Sequence, residues 1–386
     1  MLNRRSLRIK VMQYLYALER HKEAYQSIAR DKSGAHFDPD INVDELPDFD
    51  ELNRLKNEAM QAFDDRLKNG SINLTTHPDA VQEAIKDGFD YYEDLLKQAK
   101  KEGYDALLKE ANWVANNYVK MLILPLVWKD QIVIEWNKAV GAGKSLSSGF
   151  RNLSSNPLIE AIESHKDIQS QVKKNKIAWD EDTSSEWLRQ IVRKDELYQQ
   201  YIENPKPNLE DHVNVVNHLF KKIIFKNEVI DGYMEEHDLG WAENRGVLKS
   251  MIIKTLKSFN PTEGSIMLIN LSPNWKEDKE FFQKLYLETV ADDEQLEKII
   301  EEKSQNWDLE RIASIDRVIM KMAITEFMKF PSIPVKVTIN EYIELCKAYS
   351  TPKSKQYVNG ILDVLSNEFR EIGKIKKSGR GLLDNK

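Results

Sequence analysis

Four basic residues stand among the first ten positions, with no acidic residue between them: Arg4, Arg5, Arg8 and Lys10. If a helix begins at Arg4, the three arginines fall within an arc of about 100° on its surface. Arg4 and Arg8 are one turn apart and repel each other unless an anion neutralises them. The pattern therefore predicts a phosphate-binding surface typical of RNA contact, and a solvated basic end is the alternative interpretation.

A second basic group occurs at the start of the last predicted helix, where Lys353, Ser354 and Lys355 are followed by Tyr357. Cations are disfavoured at a helix N-terminus, because the free N–H groups and the helix dipole already make it positive. A phosphate bound there would accept from the N–H groups and neutralise the lysines, and the tyrosine ring could stack on an unpaired base. We expect RNA contact here. A surface lysine pair beside a half-buried tyrosine is the alternative.

Other possible chemistry is weaker. The sequence GAGKS from Gly141 resembles the end of a phosphate-binding loop, but Lys138 stands where the first glycine of that motif belongs. Several histidines and glutamates between residues 212 and 237 lack the E-x-x-H spacing of a metal-binding helical bundle: His212, His218, Glu228, Glu235, Glu236 and His237. The sequence therefore predicts an interhelical loop and an exposed charged helix face, with no catalytic residue, metal ligand or cofactor.

Composition favours a globular all-α protein. The chain has 386 residues, of which 41% are hydrophobic and 31% charged, and only 15 are glycine and 12 proline. Its formal charge of −7 argues against a protein that coats nucleic acid indiscriminately, so the cationic ends stand out against an acidic body. The single cysteine, Cys346, cannot form an internal disulfide, and the longest apolar run, from Met121, is too short to span a bilayer. We expect a cytoplasmic protein without a membrane segment.

Helical periodicity outlines the elements that carry these residues. The first helix is predicted over about Arg4–Glu19, and a polar, acidic linker follows from His36. Several helices are predicted between Leu52 and Phe259, separated by turn signals and without a fixed repeat. The four turn signals are NGS at Asn69, THPD at Thr76, GAGKSLSSG at Gly141 and NPKPN at Asn204.

The C-terminal helices are the most sharply predicted. One helix is expected to open at NWDLER, with Asp308 as its cap and Glu310 in its first turn, and to stop at Pro331 and Pro334. The last helix is expected to be capped by Ser350 or Thr351, with Pro352 at its first position. A glycine within that helix, Gly360, costs about 1 kcal/mol relative to alanine, so we infer a close helix crossing there.

Three segments resemble the NusB family of transcription antitermination proteins, in the family's order. They are RRSLRIKVMQYLYALE, NWDLERIASIDRVIMKMAITEF and IPVKVTINEYIELCKAYSTPKSKQYVNGILD. The resemblance implies two packed helical bundles with a large additional helical segment. It divides the chain into a first helix with its basic arm (1–21), a helical insertion with linkers (22–277), a C-terminal bundle (278–372) and a basic tail (373–386).

The resemblance also implies a function. Family members are non-enzymatic and bind the boxA element of nascent ribosomal transcripts together with the small-subunit ribosomal protein NusE, within a transcription elongation complex. Positions that match Tyr16 and Asp316 belong to, or lie next to, the surface offered to that protein, although Asp316 could instead form an internal salt bridge. Two other interpretations remain: a protein-interaction scaffold that has lost RNA binding, and an rRNA methyltransferase, which the absence of a glycine-rich cofactor loop disfavours.

Overall fold

A computed structural model describes residues 3–39, 48–238, 240–304 and 313–385 of the chain. Helices supply the regular secondary structure of these ranges, which contain no strand and a single isolated bridge between Asn260 and Ser265. The all-α prediction is confirmed. None of the helices in these ranges combines the length and apolar character needed to cross a membrane.

Fifteen α-helices lie in the described ranges. In chain order they are α1 (Arg4–Ala35), α2 (Phe49–Asn69), α3 (Asp79–Gly141), α4 (Pro157–Ser164), α5 (Lys166–Asn175), α6 (Glu181–Gln190), α7 (Glu196–Glu203), α8 (Leu209–His218), α9 (Glu228–His237), α10 (Trp241–Lys257), α11 (Trp275–Ala291), α12 (Asp293–Ser304), α13 (Ser314–Lys329), α14 (Val335–Tyr349) and α15 (Ser354–Glu371). Short 3₁₀ segments include Ser148–Ser155 and Gly379–Asn385.

The chain divides into two compact units. Unit 1 comprises Met1–Ser6 and Leu108–Lys279, and unit 2 comprises Leu7–Leu107 and Glu280–Lys386. The expected limit at residue 21 falls inside α1, which continues through Lys22 to Ala35 without interruption. Unit 2 therefore takes in α2 and the first part of α3, which the sequence-based division had assigned to the insertion.

One hydrophobic core of unit 2 is built from residues between Ala29 and Tyr92. The second half of α1, α2 and the start of α3 bury mainly alanine and aromatic side chains against one another: Ala29, Phe37, Ala59, Ala62, Phe63, Val81, Ala84, Ile85, Phe89 and Tyr92. The rings of Phe63 and Phe89 lie 4.6 Å apart between centroids. Small residues allow these helices to approach closely, while the aromatic rings provide most of the buried apolar area.

The rest of unit 2 is organised around α13. From Val318 to Phe327 every residue of α13 is buried, as the helix packs against α12, α14 and α15. A helix with no solvent-facing side must pair any charged side chain it carries, because an isolated buried charge is very costly. Lys321 and Glu326 are the two charged residues within that buried run.

Unit 1 consists mostly of short helices with polar caps. The side chains of Asn156, Asp180, Asp195, Asn208 and Asn227 accept backbone N–H bonds at the starts of α4, α6, α7, α8 and α9. Such caps satisfy donors that a helix cannot satisfy within itself. Large rings fill the interior, where the indole N–H of Trp128 donates to the Ser184 carbonyl over 3.0 Å.

Most turn predictions are confirmed. α2 ends at Asn69, α3 at Gly141 and α7 at Glu203, each at a predicted turn. GAGKS follows a helix rather than a strand, as an interhelical connection requires. The predicted start of the last helix is wrong by a few residues, because α15 begins at Ser354 and Pro352 lies in the preceding turn.

Two further expectations concern the C-terminal helices. The predicted helix crossing at Gly360 is wrong, because no atom lies within 4 Å of a Cβ placed there. That part of α15 faces solvent, and the glycine is not required for packing. The expected cap Asp308 and its neighbour Glu310 lie outside the described residues, and α13 is described from Ser314 onward.

The basic tail makes specific contacts at the end of α13. The Lys377 ammonium donates to the Phe330 carbonyl over 3.0 Å, and the Ser378 N–H donates to the Pro331 carbonyl over 3.0 Å. A Cβ on Gly381 would lie 2.0 Å from that same proline oxygen. A lysine beside the last carbonyls of a helix is favourable for its dipole, so this part of the tail belongs to the fold of unit 2.

Candidate nucleic-acid interface

Arg4 and Arg5 lie at the start of α1, where the sequence predicts phosphate contact. Arg4 is 35% exposed; its Nε donates to Asp278 Oδ1 over 3.2 Å, and its Nη2 lies 3.7 Å from Glu277 Oε2. The two carboxylates already provide the negative charge that the sequence argument assigned to phosphate. Arg5 is exposed, as contact with RNA requires.

The structure corrects the expectation for Arg8. This arginine is 2% exposed and donates from Nε and Nη2 to the two carboxylate oxygens of Glu326, over 2.8 and 2.7 Å. Although burial alone would lower it, the carboxylate of Glu326 raises the pKa of Arg8 above its usual value. The charge of Arg8 is therefore neutralised inside the protein, and its guanidinium is not exposed to a phosphate.

Glu326 is the centre of a buried hydrogen-bond network. Besides Arg8, the Thr338 hydroxyl donates to it over 2.8 Å and the Tyr342 hydroxyl over 3.2 Å. The Arg8 guanidinium also lies 5.1 Å from the centroid of the Phe281 ring. These contacts join α1, α11, α13 and α14, so Arg8 holds unit 2 together.

Lys10 is also unavailable at the surface. Its side chain is buried, at 4% exposure, whereas the sequence argument required a solvated ammonium. Residues at spacings of three and four share a helix face. Arg8 precedes buried Val11 by three positions and Met12 by four, so this spacing was the signal that Arg8 faces inward.

At the start of α15, two of the four predicted residues are exposed. Lys353 and Lys355 face solvent. Ser354 is 7% exposed, and its hydroxyl is within 2.9 Å of Ser350 Oγ and 2.8 Å of Thr351 Oγ1. The helix has no acidic residue in its first turn and no side-chain cap on its N–H groups. An anion there would meet lysine charge and the positive end of the dipole together.

Tyr357 is placed differently from the expectation. Its ring is 9% exposed and its hydroxyl lies 2.7 Å from Ser304 Oγ on α12. Burial raises the pKa of the Tyr357 hydroxyl. A ring packed between helices cannot stack on a base without moving, so Tyr357 connects α12 and α15 in this structure.

The two predicted partner-contact residues differ in exposure. Tyr16 is 37% exposed, and the Arg20 guanidinium lies 5.5 Å from its ring centroid. Asp316 is 2% exposed, and its Oδ1 has no hydrogen-bond partner among the described residues. Burial, followed by the Asp316 carboxylate, raises the pKa of the Cys346 thiol to about 12. A partner can reach Tyr16 directly, whereas Asp316 could act only from beneath the surface.

A second buried ion cluster was missed by sequence reasoning. Lys321 is 4% exposed, and its ammonium lies 2.7 Å from Glu297, 2.8 Å from Asp293 and 3.1 Å from Glu19. Lys22 also contacts Asp293 and Glu19. A lysine inside the apolar run of α13 was the signal, because such a residue requires buried acids around it.

Two of the histidines between residues 212 and 237 have local partners. His212 Nδ1 lies 2.7 Å from the Tyr201 hydroxyl, and His218 Nε2 lies 2.8 Å from Asp195 Oδ2. Among the residues that the structure describes, no group of three or more His, Cys, Asp or Glu side chains could hold a metal ion.

Comparison with known proteins extends the argument from single residues to the whole C-terminal region. The NusB family model matches residues 247–367, which run from within α10 into α15. A transcription antitermination protein NusB of Salinibacter ruber is 35% identical over 142 residues, covering 35% of this chain and 88% of the relative. The chain belongs to the NusB family.

Two other NusB relatives match with comparable identity. The NusB protein of Chloroherpeton thalassium is 42% identical over 106 residues, or 28% of this chain and 50% of the relative, and that of Natranaerobius thermophilus is 40% identical over 101 residues, or 25% and 73%. No solved structure matches this chain. The NusB family model does not include α1 or most of unit 1, so these regions must be interpreted from their own residues.

Proposed function

We propose that this protein is a transcription antitermination factor that binds boxA-like RNA of nascent ribosomal transcripts. It does so in the cytoplasm with a NusE-type small-subunit ribosomal protein, as part of a transcription elongation complex. The observation that carries the proposal is family membership: a relative named transcription antitermination protein NusB is matched over 88% of its length. The role requires binding surfaces and no catalytic group.

The exposed basic residues support RNA as a ligand. Arg5, Lys353 and Lys355 present positive charge to solvent, and the lysines flank a helix start without an acidic residue in its first turn. Phosphate contacts supply much of the affinity in RNA binding and make it depend on salt. Tyr16, an exposed aromatic residue on α1, supports contact with the protein partner, because aromatic side chains are enriched in interfaces.

The burial of other predicted contacts favours a second candidate. Arg8, Lys10 and Tyr357 are all buried, so fewer basic and aromatic groups are exposed than the sequence suggested. A NusB-fold scaffold that binds only proteins would tolerate this loss. The two candidates differ in one measurable quantity, the affinity for RNA in the absence of any partner.

Binding of a labelled boxA-like RNA to the full chain, followed by fluorescence anisotropy over a range of salt concentrations, tests the proposal. Lys353→Ala with Lys355→Ala should weaken binding and flatten the slope of log K against log salt by about 1.4, at about 0.7 per phosphate contact with single-stranded RNA. Arg5→Ala should flatten it by about another 0.7. Lys298→Ala with Lys347→Ala, which removes two other exposed lysines of unit 2, is the matched control.

The proposal predicts that the Lys353/Lys355 and Arg5 variants lose RNA affinity and that the Lys298/Lys347 control does not. Equal loss in the control would show that general positive charge, rather than the α15 start, attracts the RNA. If the unmutated chain binds a NusE-type protein but no RNA, the scaffold candidate is correct.

A further inference from the structure

Aromatic and basic side chains meet on one surface of unit 1, outside the region that matches the NusB family model. Trp136 of α3 and Phe150 of the 3₁₀ segment Ser148–Ser155 have ring centroids 6.2 Å apart. The Arg151 guanidinium lies 5.4 Å from the Trp136 centroid, and that of Arg193 lies 5.2 Å from the Phe150 centroid. With exposed Lys144, in the loop between α3 and that 3₁₀ segment, these residues form what we call the aromatic–basic surface.

The fold holds this surface in place. The Lys144 N–H donates to the Ala139 carbonyl over 2.9 Å, which turns the chain back onto the end of α3. Gly149 packs so closely that a Cβ there would lie 2.3 Å from the Ile202 carbonyl oxygen. Phe150 is thereby fixed beside Trp136, and both rings remain partly exposed. A rigid aromatic pair loses little conformational entropy when it binds a ligand.

The charge of this surface is opposite to that of the whole chain. Between Trp136 and Ile159 the sequence contains Lys138, Lys144 and Arg151 and no acidic residue, although the chain as a whole carries −7. All three basic side chains are exposed, and none forms an ion pair with another residue of the described ranges. Arg193 is paired with Glu135. Exposed cations beside two partly exposed aromatic rings suit a ligand that carries both phosphates and stacking groups.

We propose that the aromatic–basic surface binds single-stranded RNA. Aromatic rings stack on unpaired bases of any sequence, while neighbouring lysine and arginine side chains contact the backbone phosphates. Trp136, Phe150 and the arginines are also residue types enriched in protein interfaces, so a protein is the alternative ligand that the test must distinguish. The proposal concerns residues different from Arg5, Lys353 and Lys355, and it does not depend on RNA binding by those residues.

The proposal is tested with the full chain and a labelled oligouridine about 12 nucleotides long, within the range of single-strand site sizes. Lys144→Ala and Arg151→Ala together should flatten the salt dependence by about 1.4, at about 0.7 per contact. Trp136→Leu should weaken binding about fivefold to 140-fold, the usual effect of losing one stacked base, and should leave the slope unchanged. Lys173→Ala with Lys174→Ala, which removes exposed lysines of α5 away from any described ring contact, is the matched control.

Two further measurements keep the result interpretable. Thermal unfolding checks that Trp136→Leu folds, and Arg151→Ala alone, at an exposed position, supplies a variant with little risk to folding. A blunt RNA duplex of the same length should displace the labelled oligouridine only weakly, because its bases are already stacked. The displacement should be equally weak for the unmutated chain and for Trp136→Leu.

Each outcome supports or overturns the proposal. Loss of single-strand affinity in the surface variants, with normal affinity in the Lys173/Lys174 control, supports it. Surface variants that bind the oligouridine as tightly as the control overturn it and leave a protein as the ligand of this surface. The Lys353→Ala/Lys355→Ala variant, measured with the same RNA, shows separately whether the α15 start binds, so either site can fail without the other.

Discussion

At the scale of single residues, two buried charges of unit 2, Glu326 and Lys321, are each paired with several partners. Glu326 accepts hydrogen bonds from Arg8, Thr338 and Tyr342, and Lys321 is surrounded by three carboxylates. Replacing a complete buried pair by apolar residues is often neutral, whereas removing one partner leaves an uncompensated charge. Single substitutions within these clusters should therefore have much larger effects than substitutions at the surface.

Arg8→Ala should destabilise unit 2 by about 3–5 kcal/mol, because it leaves the Glu326 carboxylate buried without its cation. Lys298→Ala, at an exposed position on α12 of the same unit, should change stability by less than about 0.5 kcal/mol. Urea unfolding of the two variants measures the difference. Comparable losses would mean that the Arg8–Glu326 pair contributes no more than an ordinary surface contact.

The acid stability of unit 2 should depend on Asp293. Although burial opposes the effect, Lys321 and Lys22 lower the pKa of Asp293 below its usual value. A carboxyl with a lowered pKa stabilises the fold above its unfolded-state pKa of about 3.9 and loses that contribution as pH falls through the folded value. The pKa of Lys321 is raised, so the lysine stays charged throughout this range and its contribution is lost only at alkaline pH.

We therefore expect Asp293→Asn to lower the melting temperature at pH 7 and to make it less sensitive to acid. The gap between the variant and the unmutated chain should narrow as pH falls below about 4. Asp363→Asn, at an exposed position on α15, should follow the unmutated chain at every pH. A gap of constant size would contradict the role assigned to the Asp293 charge.

At the scale of helices, periodicity predicted the existence of the C-terminal elements better than the role of individual positions. α13 and α15 both occur where the sequence predicts helices. Their local details depend on three-dimensional neighbours. The phosphate prediction for Arg8 failed because its partner, Glu326, is hundreds of positions away in the sequence. The crossing predicted at Gly360 failed because the surroundings of that glycine are set by the tertiary fold.

Gly360→Ala should now stabilise unit 2, contrary to what a helix crossing would require. The new methyl group would enter open space, and alanine is about 1 kcal/mol more favourable than glycine within a helix. Thermal unfolding should therefore show a higher melting temperature.

Gly381 is the opposite case to Gly360, because it packs closely against the turn between α13 and α14. A Cβ at residue 381 would lie 2.0 Å from the Pro331 carbonyl oxygen, a fixed backbone atom. Gly381→Ala should accordingly lower the melting temperature. Opposite signs for the two substitutions are expected, and a gain in stability at both positions would contradict the tail contact.

At the scale of the whole molecule, the NusB family match accounts for residues 247–367 and leaves most of the chain to be explained by its own chemistry. The resemblance predicted the C-terminal bundle because its motifs are local in sequence. It could not predict that residues 22–107 belong to unit 2, since that assignment depends on contacts among α1, α2 and α3. The aromatic–basic surface was missed for the same reason: Trp136 and Arg193 are brought near Phe150 only by folding.

If the proposed function is correct, RNA and the NusE-type protein should bind cooperatively. Linkage requires each ligand to tighten the other by the same factor, typically corresponding to about 1–3 kcal/mol. Tyr16→Ala, at the exposed predicted contact, should weaken partner binding while leaving RNA affinity without partner unchanged. Titrating labelled boxA-like RNA with and without saturating partner measures both effects. Identical RNA affinities in the two titrations of the unmutated chain would rule out coupling.

The pair between Arg8 and Glu326 joins residues 318 positions apart, and this separation has a consequence during synthesis. At about 5–20 residues per second, a ribosome needs roughly 15 to 60 seconds to make the intervening chain. Throughout that time Leu7, Val11 and Met12, which are buried in the finished protein, have emerged without the C-terminal helices of unit 2. The positive charge of Arg4, Arg5, Arg8 and Lys10 should oppose self-association of α1 in this interval.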